Sequence, residues 1–258
     1  MPVVSGLQKP ITHCPPLGEG GSTRSRTTSE TSPLGALGDC GLQDVHAREA
    51  AHGTLISHIC ASTRTPWVWV QDARCRAAFG RVWPRARSAY GPEATPLSVV
   101  HTTHPRDALW VMEEAVKAGF PTIGEIAGAP SVLNFTATRR LELFARANDV
   151  PCYLVRTGAE ASLAGPSGAR WRWRIDPHPS HPDPCDPKAL GLSRWSLELV
   201  RARSRPPGRW LIEMQPGEAG WNAHRLRVAA LLGGGDVETR EKTRARATIL
   251  PFPSRTAA

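Results

Sequence analysis

The chain predicts an α/β fold: a mostly parallel sheet flanked by helices, with an antiparallel extension from the C-terminal strands. Two observations carry this. Over Leu97–Val155, short apolar runs alternate with long amphipathic ones, in the order strand, helix, strand, helix, strand, and helices that cross between strands make the sheet parallel. Further on, Arg170–Ile175, Trp195–Arg203 and Arg209–Met214 alternate residue by residue, the pattern of successive antiparallel strands. At 258 residues the chain suits one sizeable domain plus tails. The expected division is a flexible arm over 1–37, an α/β domain over 38–232 and a flexible tail over 233–258.

The elements follow in order. Met1 to about Leu37 is rich in Pro, Gly, Ser and Thr, and such a stretch cannot bury enough surface to fold alone. Leu42–Val45 reads as a short strand and His46–Cys60 as a helix, with Ala51, Leu55 and Ile59 on one face. Pro66–Val70 is a strand ending in Gln71-Asp72, and Ala73–Val82 is helix-forming up to Pro84. Leu97–Val100 is the next strand. The loop His101–Asp107 leads into a helix over Ala108–Ala118. There Ala108, Val111, Met112, Ala115 and Val116 share one arc, whereas Trp110 falls among the polar residues and calls for a neighbour or a partner. Thr122–Ile126 is a strand carrying Glu125 near its end. An arginine-bearing helix opens with Thr138, Arg139 and Arg140, and Val150–Val155 returns as a strand. In Arg170–Ile175 the tryptophans alternate inward to the core, and Ala223–Leu232 reads as a short helix.

Charge and cysteine usage narrow the function. There are 32 basic residues against 23 acidic, a formal net charge of +9, and only four of the basic residues are lysines. Arginine suits phosphate and carboxylate recognition, and the balance admits nucleic acid, a membrane surface or an acidic protein without choosing. The six cysteines form no CxxC pair, so the chain reads as a reduced, cytoplasmic protein whose cysteines are mostly core or incidental. No run approaches the ~18 apolar residues of a membrane span, so no membrane contact is expected.

Chemistry is thin. GxxxxGK[ST] does not occur. After the first strand the sequence runs Asp44-Val-His-Ala-Arg-Glu-Ala-Ala-His-Gly-Thr54, so Gly53 and Thr54 come without the lysine that would reach a β- or γ-phosphate. His101 and His104, like His178 and His181, are three apart but lack the context of a metal site; they read as loop histidines, and no metal or cofactor is expected. Glu125 stands singly at a strand's C-terminal end, where open α/β folds place ligand chemistry. Arg170, Arg172 and Arg174 share one strand face, and Arg201 and Arg203 another. These faces, with Arg139 and Arg140, are either solvated edges or contacts to DNA or an acidic partner.

Several stretches taken together resemble the ImuA family. They are Arg106–Gly119 followed by a strand ending Gly124-Glu-Ile126, the Arg139-Arg-Leu-Glu-Leu143 helix, and the Arg201-Ala-Arg…Pro-Gly-Arg-Trp-Leu-Ile-Glu213 hairpin. The resemblance spans roughly Leu34–Leu232. It implies a RecA-like core, similar in fold to RecA and to the division inhibitor SulA. It also implies a place in SOS-induced, error-prone translesion DNA synthesis beside ImuB and an error-prone polymerase, with RecA and DNA as further partners. RecA-like ATPases hold a phosphate loop where His46–Thr54 lies and a carboxylate near Glu125. This chain departs at the first, so the resemblance implies a non-catalytic scaffold. A SulA-like inhibitor of division and an ATPase with a degenerate phosphate loop are the alternatives.

Overall fold

Runs of Val, Ile and Trp form strands here because branched and aromatic side chains pack well on a pleated surface. The amphipathic runs between them cover its two faces. The computed structural model describes residues 33–48, 51–61, 65–83, 96–158, 165–183, 186, 188–217 and 220–232. The tail expected over 233–258, and the expected arm up to residue 32, lie outside them. The last residues of that arm form α1 (Pro33–Leu37), whose Ala36 and Leu37 are core residues.

Among the described residues, nine strands form one sheet: β1 (Gly41–Ala47), β2 (Trp67–Gln71), β3 (Leu97–His101), β4 (Thr122–Ala127), β5 (Pro151–Thr157), β6 (Trp171–His178), β7 (Arg194–Ala202), β8 (Gly208–Gly217) and β9 (Gly220–Leu231). Their spatial order is β3-β2-β4-β5-β1-β6-β7-β8-β9. The pairings from β3 through β6 are all parallel, and those from β6 to β9 are antiparallel. The sheet is therefore mixed, parallel in its first two thirds, as the two sequence patterns require.

Helices α2 (Ala51–Ala61), α3 (Ala73–Phe79), α4 (Pro105–Lys117) and α5 (Phe135–Ala147) connect the parallel strands. One core layer lies under α1 and α2 and joins Leu37, Leu55 and Ile56 to Val45, Trp67, Tyr153, Trp171 and Trp173. The other lies under α4 and α5 and joins Met112, Val116, Leu141 and Ala145 to Leu42, Val70, Ile126 and Leu154. β1 is buried along its whole length, as expected of a parallel strand covered on both faces. Its Gln43 side chain is satisfied there. Gln43 Nε2 donates to the carbonyls of Ala36 (3.1 Å) and Asp39 (3.2 Å), and Gln43 Oε1 accepts from Trp173 Nε1 at 2.7 Å.

Several boundaries differ from expectation, each for a local reason. The helix expected from His46 starts at Ala51, because His46 is still paired in β1, opposite Arg156 and Arg174. The helix after Asp72 ends at Phe79, where Gly80 takes φ 85°, a conformation that glycine adopts without strain. Ala223–Leu232 is not a helix. It belongs to β9, which returns antiparallel on β8 with Ile212 opposite Val228 and Met214 opposite Leu226. Leu226 and Val228 pack onto the tryptophan-lined layer, and an available sheet edge overrides the helical tendency of Ala and Leu. Among the described residues no helix is long and apolar enough to cross a membrane.

Candidate functional site

The C-terminal ends of β2 and β4 carry a cluster of buried polar groups. Parallel pairing sets Gln71 beside Glu125 and Trp69 beside Ile123, so Trp69, Gln71 and Glu125 point to the same face of the sheet. Trp69 Nε1 donates to Glu125 Oε1 at 3.0 Å, and Gln71 Nε2 to Oε2 at 2.7 Å. His52, from the first turn of α2, places Nε2 3.1 Å from Oε1. Glu125 is only 3% exposed, so these groups replace the water a carboxyl would otherwise need. His52 Nδ1 is buried without a partner among the described residues.

Around this cluster lies a cavity of about 260 Å³, walled by His52, Gly53, Thr54 and Ser57 on one side and by the segment Phe79–Trp83 on the other. Gln71 holds the second wall: its Oε1 accepts from Val82 N at 2.9 Å, and its Nε2 reaches Gly80 O at 3.4 Å. Asp72 and Arg76 tie the strand ends behind it. Asp72 caps α3 by accepting from Cys75 N at 2.6 Å and accepts from Ala127 N at 3.1 Å. Arg76 Nη1 donates to the carbonyls of Gln71 (2.8 Å) and Thr102 (3.0 Å). The cavity thus sits outside the carboxyl ends of parallel strands, where open α/β sheets place ligands.

The structure brings Gly53, Thr54 and Glu125 to this one place. It also corrects the reading of Glu125 as singly placed, since three side chains converge on its carboxyl group. Sequence reasoning missed His52, Trp69 and Gln71. The signal was a Trp-x-Gln alternation on the strand that comes to lie beside Glu125, and only the strand order could reveal it.

A second cluster lies on the opposite face of the sheet. Asp44 is fully buried and takes Arg156 in a two-pronged pair, at 2.8 Å from Nε and 3.2 Å from Nη2. Arg172 Nη2 is 3.6 Å away, as is His46 Nε2. Burial, against the pull of Asp44 and with the help of Arg156, Arg172 and Arg174, lowers the His46 pKa to about 4.

The predicted arginines therefore separate. Arg172 is buried on Asp44 and is no part of a solvated face. Arg174 pairs with Glu198 at 3.0 Å, and Arg140 with Glu113 at 2.6 Å. Arg201 and Arg203 are exposed, while Arg139 and Arg170 are half-buried. Trp110 is 64% exposed, so no described neighbour covers it. Trp171 and Trp173 are core residues, stacked with ring centroids 6.1 Å apart. Cys152 is core as well, and burial raises its pKa. Burial likewise pushes the Cys75 thiol up to about 12, so neither is a ready nucleophile.

No protein-family model matches the chain. The chain is 34% identical over 162 residues to Protein ImuA of Caulobacter vibrioides strain NA1000 / CB15N, a match that takes in 60% of this chain. The identity and coverage are the same for Protein ImuA of Caulobacter vibrioides strain ATCC 19089 / CIP 103742 / CB 15. The match spans 64% of the length of these curated relatives.

Proposed function

We propose that this protein is a non-catalytic accessory protein of error-prone translesion DNA synthesis, a cytoplasmic scaffold that assembles with ImuB and an error-prone polymerase on a RecA-like core. The similarity to Protein ImuA supports the pathway. The sheet order, with β1 between β5 and β6, and the start of α2 at the ligand edge support the RecA-like reading.

One observation carries the non-catalytic part. Phosphoryl transfer in such a core needs a lysine on the phosphates and a carboxylate available to a hydrated magnesium ion. Here the connection that would hold the lysine brings in His52, and both oxygens of Glu125 are taken by His52, Trp69 and Gln71. The groups that would act on a nucleotide are turned on one another, and the fold is kept without the chemistry.

Affinity capture with the full chain tests this. Recovery of ImuB and the polymerase, with no ATP turnover above that of Thr54→Ala, is the expected result. Turnover that disappears in Thr54→Ala, or DNA binding that requires ATP, overturns the non-catalytic reading. Capture of the division machinery in place of ImuB replaces the pathway with a SulA-like one.

A further inference from the structure

Several described arginines make no ion pair, and five of them gather in one region of the fold. Arg140, Arg172, Arg174 and Arg194 each reach a carboxylate. Arg139, Arg146, Arg170, Arg201 and Arg203 make no ion pair among the described residues.

The fold gathers these five. β6 and β7 pair with Trp171 opposite Ala202 and Arg172 opposite Arg201, so the same register carries Arg170 toward Arg203. Ala202 packs with the tryptophan layer, which turns Arg201 to the other face, the side of α5; Arg203 follows just past the end of β7 and acts on Glu142 of α5. On α5 the stretch Gly165–Arg170 closes the gap. A Cβ on Gly168 would lie 2.5 Å from Arg139 Cα, and Gly168 N donates to Thr138 Oγ1 at 2.9 Å. Arg146 lies one turn beyond Glu142, and Arg146, Arg170 and Arg203 all act on the Glu142 carboxyl group. The acids near the belt are Asp39, facing Arg170 and Arg205, and Glu142, which is buried and accepts from Leu42 N at 2.7 Å.

We propose that this belt, running from the flank of α5 across the N-terminal end of β6 to the end of β7, binds the phosphate backbone of DNA. It supplies guanidinium forks, which match phosphate oxygens two at a time. Residues two apart on a strand are separated by about 7 Å, comparable to successive phosphates along one nucleic-acid strand; Arg201 lies in β7 and Arg203 just past its end. Net charge of +9 adds long-range attraction to the same ligand. The proposal goes beyond the scaffold reading and does not depend on it.

Fluorescence anisotropy with labelled single-stranded and duplex oligonucleotides, on the full chain, tests the belt. The triple change Arg170→Ala, Arg201→Ala, Arg203→Ala weakens binding by about tenfold or more at moderate salt. It also lowers the slope of log affinity against log salt by roughly 2–3. Arg140→Ala, whose partner Glu113 retains Lys117, serves as the matched control and stays within about twofold. The oligonucleotide that suffers the larger loss identifies the strand form bound. Equal losses in triple and control, an unchanged salt slope, or a poly-glutamate peptide that displaces DNA at equal charge concentration each overturn the proposal. ImuB capture by the triple variant separates the two ideas: capture kept with DNA binding lost leaves the scaffold reading untouched.

Discussion

His46 and Glu125 illustrate opposite ways of burying a polar group. Three polar side chains converge on Glu125, with Trp69 and Gln71 donating to it. His46 sits beside Asp44 among three arginines, and burial holds its pKa near 4 against an ordinary 6.5. The folded state therefore takes up this proton only at about pH 4, whereas the unfolded chain takes it up near 6.5. Between those values the unfolded state binds more protons, so stability falls as pH drops through the window. A shift of this size corresponds to about 3 kcal/mol. Urea titrations at several pH values between 7 and 4 give the native slope, and His46→Gln flattens it. An identical pH dependence in the variant assigns the loss to other groups. Of these two residues the sequence marked only Glu125, by its place near a strand end. His46 was read as the start of a helix, because nothing local told that β1 runs on to Ala47.

At the scale of elements, small residues set how closely layers approach. Gly124 lies under α4, where an added Cβ would come 2.0 Å from Met112 Sδ; Met is unbranched and can shift. Gly168 lies against the backbone of α5, where Arg139 N and Cα are 2.6 and 2.5 Å from such a Cβ, and backbone cannot rotate away. Gly168→Ala is therefore expected to cost about 2–3 kcal/mol, and Gly124→Ala about 1–2 kcal/mol. Chemical unfolding of the two variants checks the order. If Gly168→Ala is the milder change, the 165–170 segment is not clamped to α5 as described. Legibility at this scale followed periodicity. The Leu97–Val155 unit and the Trp/Arg strands had clean patterns and formed as expected. Ala223–Leu232 had a pattern compatible with either state, and the open edge of β8 decided it.

The described residues are built on one sheet whose interior and edges differ sharply in burial. β1 and β5 are buried along their full length, whereas β3 at one edge is partly exposed throughout. Hydrogen exchange should follow this gradient, with the amides of β1, β4 and β5 slowest and those of β3 and β9 opening first. Uniform protection across the sheet contradicts that picture. Alternating polarity in the sequence determined that there would be a parallel unit joined to antiparallel strands, because each strand's periodicity reports how many of its faces are covered. It also determined that the pattern GxxxxGK[ST] does not occur, since that is a matter of residue identity. Tertiary structure alone decided which polar residues meet. His52 reaches Glu125, separated from it by 73 residues, and Arg156 reaches Asp44, separated by 112. It also decided which arginines stay without a carboxylate. Strand order and register bring distant residues together, and neither is written in any local stretch of the chain.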